Sequence, residues 1–335
     1  MTTIPPAPAH TIAVLSQKGG TGKTTLVRSL THALHRLGMD VLPIDLDPQG
    51  NLSDYFGVDR DAFPTVREAL VGEARTADAI HNGMIPANLS LAEAELALSG
   101  KMGRELALKR ALSEARWKHD FILIDCPPAL GLLTVNALVA ASHVLISAEA
   151  EYFSLLGVEQ VLELIKPARE WLNEDLQWLG VVVNIADLGT RHARENWTML
   201  RENFGSDLFE TVIRKSIRYP ESAQQGLSIL DYRPEIGDDY ICLADELLVR
   251  LGEEEGRRPV DAVRRLDDQR QLVSLRRMTV RNGWEESRPR EVSLHKDGNQ
   301  HSWRLEPRQL KARLWVNGKG TDADGRHAHL SQVHD

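Results

Sequence analysis

The sequence predicts an α/β protein built on a doubly wound, mostly parallel sheet flanked by helices, with a C-terminal appendage. Three observations predict it. Short β-rich runs alternate with longer helical ones from Thr11 to Leu251, two of the apolar runs end in aspartates (Asp45 and Asp125), and a glycine-rich turn joins the first strand to the first helix. Strands that alternate with helices require parallel crossovers, and a parallel sheet is covered on both faces.

In order, Thr11–Ser16 reads as a strand, Lys23–Leu37 as a helix and Val41–Asp45 as a strand, followed by helical material broken by turns as far as Ala115. Phe121–Asp125 is the next strand, Leu132–Ala141 a helix, Val144–Ser147 a strand, Gly157–Trp171 a helix and Leu179–Asn184 a strand. Arg191–Phe204 and Asp238–Leu251 read as further helices. The expected organisation is a loose leader over residues 1–10, an α/β domain over 11–252 and an extension over 253–335. The extension opens on the charged linker Glu253 to Pro259 and continues with a polar helical stretch, Val260–Leu275. Short runs at Met278–Val280, Glu291–Leu294 and Leu314–Val316 then sit between turn residues, compatible with a small β module or with disorder.

Composition narrows the class. The chain has 335 residues, 42% hydrophobic and 26% charged, enough for one large core and an appendage. Two cysteines, Cys126 and Cys242, are too few for a disulfide framework, and Cys126 lies in an apolar run that predicts a small buried side chain. The stretch from Cys126 to Ala148 has no Asp, Glu, Lys or Arg, but Pro127-Pro128, Gly131, Asn136 and His143 divide it into loop, helix and strand rather than a membrane span. The first ten residues lack the basic and apolar regions of a secretory signal. The net charge is −8, yet residues 253–335 hold 17 Lys+Arg against 14 Asp+Glu, while residues 1–252 hold 23 against 34. An acidic average therefore hides a basic appendage.

The turn Gln17-Lys18-Gly19-Gly20-Thr21-Gly22-Lys23-Thr24-Thr25 carries the chemistry. A strand, a glycine-rich loop and a helix opening on Gly-Lys-Thr surround phosphates with backbone N–H groups. Gln17 stands where an ordinary loop of this kind has its first glycine, and Lys18 with Gly19-Gly20 follows, giving Lys-Gly-Gly-x-Gly-Lys-Thr. Lys23 supplies a point charge to the β- and γ-phosphates of ATP, Thr24 offers a hydroxyl to Mg²⁺, and Thr25 can reach the α-phosphate. Lys18, on the strand side, cannot easily repeat the role of Lys23; a natural use is to reach across a dimer interface to the partner's nucleotide.

Two acidic positions complete the set. Phe121-Ile122-Leu123-Ile124-Asp125 is an apolar strand ending in a carboxylate, the Walker B arrangement in which Asp125 orients Mg²⁺. In Ile44-Asp45-Leu46-Asp47-Pro48-Gln49-Gly50-Asn51, a strand continuing through both carboxylates would point them the same way. Asp47 is the candidate for positioning the hydrolytic water, and Asp45 for ordering the loop or the metal shell.

Together the three motifs resemble the ParA/MinD group of deviant-Walker P-loop ATPases over residues 11–251. The segments Asp45–Asn51, Ile85–Leu91, Asp125–Leu138 and Glu151-Tyr152-Phe153 resemble the ParA (Soj-like) branch. The resemblance implies an ATP-sandwich homodimer that binds double-stranded DNA without sequence preference in the cytoplasm, on the nucleoid. It also implies slow hydrolysis, stimulated by a ParB-like or cargo-adaptor partner, that partitions a plasmid, chromosome or protein cargo. Lys18 would be the intermolecular signature lysine and Asp47 the catalytic aspartate. The family's Thr-Val-Ile-Pro-Arg-Asn-Val-Arg segment aligns with Thr211–Arg218, which puts Lys215 and Arg218 at basic, DNA-binding positions, with Arg191 and Arg194 as a second cluster. Arg214 and Ser216 depart from that pattern beside the adenine-contacting stretch, and the 186–191 loop also deviates. A MinD-like membrane or polar positioning ATPase is the alternative; it would call for an amphipathic C-terminal helix, and with no strong candidate in view, no stable membrane association is expected. An iron–sulfur reductase on the same fold would need a cysteine between subunits, where neither Cys126 nor Cys242 is placed.

Overall fold

The computed structural model describes residues 7–16, 18–149, 154–187 and 189–253, with the backbone alone at Ser154 and over 290–296 and 299–305. Gln17, Glu151-Tyr152-Phe153, Leu188, most of the charged linker, the Val260–Leu275 stretch and the runs Met278–Val280 and Leu314–Val316 lie outside the described residues.

The order begins β1 (His10–Leu15), α1 (Lys23–Leu37), β2 (Val41–Asp45), α2 (Asn51–Tyr55), α3 (Val66–Val71), α4 (Leu91–Ser99) and α5 (Ala107–Ala111). It continues β3 (Phe121–Asp125), α6 (Leu132–Ala140), β4 (His143–Glu149), α7 (Ser154–Trp171), β5 (Gln177–Ala186) and α8 (Arg191–Phe204). It ends β6 (Leu208–Arg214), α9 (Arg218–Gln224), α10 (Ile229–Tyr232) and α11 (Pro234–Leu251). In the separate C-terminal unit, β7 (Arg290–Lys296) pairs antiparallel with β8 (Asn299–Leu305), so the run at Glu291–Leu294 is a strand of a hairpin.

The six strands of the main sheet stand in the order β2-β3-β1-β4-β5-β6, and every neighbouring pair is parallel. The doubly wound expectation holds, and its cause can be seen residue by residue. Along β3, Phe121 and Leu123 enter one core and Ile122 and Ile124 the other. A period-two run of large apolar side chains thus seals both faces of one strand. Helices α1 and α11 cover the first face through Leu26, Leu30, Leu34, Tyr240 and Leu247; α4 to α7 cover the second through Leu98, Leu108, Leu133, Leu138 and Val161. Each such side chain contributes about 1.5–3 kcal/mol on leaving water.

Local signals explain the boundaries. Helix α1 stops where Gly38 turns left-handed, its N–H bonded back to Leu34 and His35. Helix α3 starts with a capping box in which Thr65 and Glu68 bond reciprocally. Pro43 is tolerated in β2 because that strand is an edge, where a missing N–H leaves no neighbour strand unsatisfied. Strand β5 runs longer than expected because Gly180, at φ 134°, carries it through an irregularity against β4; a Cβ there would lie 2.2 Å from the Asp207 carbonyl oxygen. Strand β6 was not expected from the sequence. It is the other edge, and its Glu210 and Arg214 face solvent, which blurs the apolar signal.

The uncharged stretch from Cys126 onward is divided as anticipated into loop, α6 and β4, and Cys126 is buried. Among the described residues no helix is long and apolar enough to cross a membrane.

Candidate active site

All the candidate chemistry sits at the carboxyl ends of the parallel strands. Phosphate-loop residues 18–22 follow β1, Asp125 closes β3 and Asp45 closes β2. In open α/β sheets this is the edge where ligands bind.

Gly22 enters α1 in the left-handed region, at φ 76°, and a Cβ on it would lie 2.7 Å from Nδ2 of Asn184. Only glycine fits there. Asn184 Nδ2 donates to the carbonyls of Thr21 (3.1 Å) and Gly22 (3.3 Å), and Ser147 Oγ donates to the Thr21 carbonyl at 3.1 Å. These carbonyls are tied down from behind, so the loop's peptide units are held from the sheet side rather than free to reorient. Ile185, next to Asn184, takes φ 53°, a left-handed conformation that a β-branched residue adopts only under constraint; its N–H bonds to Asn184 Oδ1 at 2.9 Å. Sequence reading missed Ser147 and Asn184. Their signal was a buried polar residue near the end of each of two apolar strands, readable only once strand order puts β4 and β5 next to the loop.

The two lysines of the loop differ. Lys23 is buried, 8% exposed, at the first position of α1, whereas Lys18, Gly19 and Gly20 are exposed. Thr24 and Thr25 are half-buried and Thr21 is buried. Helix α1 has no acidic residue in its first turn. A buried cation at the positive end of a helix is unfavourable by itself, and an anion reverses the sign.

The parallel register sets Asp45 directly beside Asp125, both essentially inaccessible. Their hydrogen bonding differs. Asp45 Oδ2 accepts from the N–H (2.9 Å) and hydroxyl (2.8 Å) of Ser53, and Oδ1 from the Asp47 N–H at 3.1 Å. These bonds tie Asp45 to the turn after β2 and to the start of α2. Neither Asp125 oxygen has a hydrogen-bond partner among the described residues. Burial first, then the neighbouring Asp45, push the Asp125 carboxyl well above the usual carboxylate range, with Thr24 and Lys23 opposing. Burial likewise raises Asp45, against the hydrogen bonds from Ser53.

An orphaned buried carboxylate beside a threonine hydroxyl is a half-built cation site. No group of three or more acidic, His or Cys side chains among the described residues could hold a metal alone. That suits Mg²⁺, which binds through one or two protein oxygens together with phosphates and water. Asp125 and Thr24 fit the ion, and Mg²⁺ would supply charge neutralisation to the phosphates there. Replacing Asp125 by Asn should therefore stabilise the nucleotide-free chain by about 1–2 kcal/mol, a rise of a few degrees in Tm, while ending Mg-dependent hydrolysis. An unchanged or lower Tm in a thermal melt would show that the buried carboxylate is not strained.

Asp47 corrects one expectation. Strand β2 ends at Asp45, so the alternation that would point both carboxylates the same way does not reach Asp47. It lies instead in the following turn, half-buried, with Oδ1 accepting from the Gln49 N–H at 3.0 Å and its carbonyl accepting from Gly50.

The basic candidates are also on this edge. Lys215 leaves β6 with its N–H on the Ala186 carbonyl, its side chain exposed and without a partner among the described residues. Arg218 opens α9 and is ion-paired to Glu221 at 2.7 Å; Arg191 opens α8 and is paired to Glu195 at 2.7 Å, with Arg194 a turn further on. Arg214, in the place of the family's proline, is clamped by Asp239 and by the Glu235 carbonyl.

A glycine-rich loop between a parallel strand and a helix, with a lysine at the helix start and a buried aspartate at the end of the neighbouring strand, defines a P-loop ATPase. Comparison with known proteins makes this narrower. The AAA domain family matches residues 9–178. The sporulation initiation inhibitor protein Soj of Bacillus subtilis is 37% identical over 245 residues, 70% of this chain and 97% of that one. The chromosome-partitioning ATPase Soj of Thermus thermophilus is 37% identical over 252 residues, 74% of this chain and 98% of that one. A crystal structure of cobyrinic acid a,c-diamide synthase from Mycobacterium smegmatis with bound ADP and magnesium superposes with a TM-score of 0.65 at 34% identity, covering 74% of this chain and 98% of that one. The chain belongs to the Soj/ParA family of chromosome-partitioning ATPases.

Proposed function

We propose that this ATPase is a nucleotide-switched positioning protein: Mg-ATP closes a homodimer, the dimer holds duplex DNA without sequence preference, and a ParB-like or cargo-adaptor partner stimulates hydrolysis to release it. The observation that carries the reading is the division of one loop between a buried lysine, Lys23, and an exposed one, Lys18. Lys23 serves the nucleotide of its own chain. Lys18, exposed at the rim of the loop, serves the nucleotide of a second copy, so ATP becomes part of the interface. Asp47, in the turn after β2, positions the attacking water, and Asp125 with Thr24 holds Mg²⁺. Gly19 to Gly22 and Thr25 complete the phosphate cradle, in which backbone N–H groups and the helix end meet the negative charge.

On this reading the protein acts in the cytoplasm, on the nucleoid, and the cargo is a plasmid, a chromosome or a protein assembly. Lys215, Arg218, Arg191 and Arg194 supply phosphate contacts from the α8 and α9 ends. Arg218 and Arg191 must leave Glu221 and Glu195 to do so, and exposed pairs of this kind are easily given up because water screens them. Lys215 costs nothing to recruit.

The test is binding to arbitrary duplex DNA with Mg-ATP over a series of salt concentrations. Lys215→Glu with Arg218→Glu should weaken binding by about a hundredfold at 0.1 M salt and flatten the salt dependence, equally for unrelated sequences. Binding that is indifferent to ATP, or unaffected by the double substitution, would remove DNA from the proposal while leaving the ATPase intact.

A further inference from the structure

Away from the nucleotide edge, α3, α4 and α5 enclose an open groove of about 430 Å³. Its floor is apolar, formed by Leu70, Leu98 and Ala107, all nearly inaccessible. Its rim holds four cations, Arg75, Lys101, Arg104 and Arg110, and one carboxylate, Glu114. Met102 stands on the rim, 98% exposed. On a chain of net charge −8, a positive rim around an apolar floor is a local reversal.

We infer that this groove docks an acidic, amphipathic helical segment of a partner protein, leucine-like side chains on the floor and carboxylates on the rim. Charge complementarity selects acid over base. The way the cations are held selects a peptide over a free anion. Arg75 is anchored to Glu114 (3.1 Å), Arg104 to Glu105 (2.9 Å) and the Ser99 carbonyl (2.6 Å), and Arg110 to the carbonyls of Gly103 and Leu106. Three guanidinium groups, each tied to different neighbours, are held apart from one another. They form a spaced rim that matches carboxylates distributed along a helix, and their anchoring lowers the entropy lost on binding. Met102, unbranched and polarisable, adapts to whatever apolar residue arrives.

Asn136 ties the groove to the helix that leads out of the nucleotide edge. Asn136, fully buried on α6, accepts from the Leu108 N–H at 3.0 Å and donates to the carbonyls of Arg104 and Leu132, each at 3.0 Å. Helix α6 is the element that follows the Asp125 loop. A segment seated between Arg104 and Leu108 therefore bears on the helix that leads out of the Asp125 turn. The inference stands apart from the DNA and dimer reading and can fail without it.

The test uses the full chain, without nucleotide, and fluorescence anisotropy of three labelled peptides of about 16 residues. One carries leucines at helical i, i+3, i+4 spacing with glutamates between; the second has lysines for the glutamates; the third is the first with its order scrambled. The glutamate helix should bind at least about tenfold tighter than either control. The double variant Arg75→Glu, Lys101→Glu should lose that binding by about tenfold while its basal ATP hydrolysis is unchanged, because neither residue touches the nucleotide edge. Hydrogen exchange should slow over residues 98–111 on binding. Equal binding of the scrambled peptide would reduce the groove to a general anion attractor, and preference for lysine, insensitivity to the double variant or no binding of any peptide would overturn the inference.

Discussion

Replacing Lys23 by Ala should leave the chain folded and lower kcat/KM for ATP by at least about a thousandfold, roughly 4 kcal/mol of lost transition-state stabilisation. Lys23 is buried at the first position of α1, where it opposes the helix dipole and has no acidic neighbour in the first turn. Attraction to the buried Asp125 carboxyl offsets only part of that cost, so its removal costs little stability. What it supplies is charge for phosphate oxygens whose negative charge grows as the terminal phosphoryl group transfers. Steady-state hydrolysis with a fluorescent-nucleotide titration separates binding from chemistry. Turnover within tenfold of the parent would show that the loop is a nucleotide cradle without this lysine's participation.

Asp47→Ala should give the complementary result, with hydrolysis down by about a hundredfold to a thousandfold and ATP binding retained. The side chain makes one hydrogen bond that the turn uses, to the Gln49 N–H, so the structural loss is about 1 kcal/mol. Asp45, bound to Ser53 and to the Asp47 N–H, keeps the turn in place. Single-turnover hydrolysis at saturating ATP reads the chemical step directly. A fall in affinity with unchanged single-turnover rate would make Asp47 a binding or turn residue and move the water-positioning role elsewhere.

How much of this was legible depends on where the information lies. The phosphate loop, Asp45, Asp47 and Asp125 could be read because each is fixed by a local rule: a glycine spacing, or an apolar strand ending in acid. Helix α1 and strands β2 and β3 were bounded to the residue for the same reason, since caps and apolar alternation are local. Strand β6 was not, because an edge strand with Glu210 and Arg214 toward solvent lacks the doubly apolar signature of the centre. The support of the loop by Ser147 and Asn184, and the pairing of Asp45 with Asp125, depend on strand order and register, which no short window contains. The expectation that Asp45 and Asp47 share a direction failed because it assumed a strand two residues longer than β2. Ion pairing of Arg218 with Glu221 and of Arg191 with Glu195 is present in the sequence as i, i+3 and i, i+4 spacing, but spacing alone does not say which exposed charges close into pairs.

The same contrast between local and assembled information applies to Lys18. Its identity and exposure are properties of one chain, but its proposed work takes place on another chain's nucleotide. Sedimentation velocity of the parent, Lys18→Ala and Asp47→Ala proteins with Mg-ATP tests that claim most directly. The account predicts a dimer for the parent, a more persistent dimer for Asp47→Ala, and a monomer for Lys18→Ala that still binds ATP with affinity within about tenfold of the parent. A Lys18→Ala protein that dimerises with ATP as the parent does would contradict it.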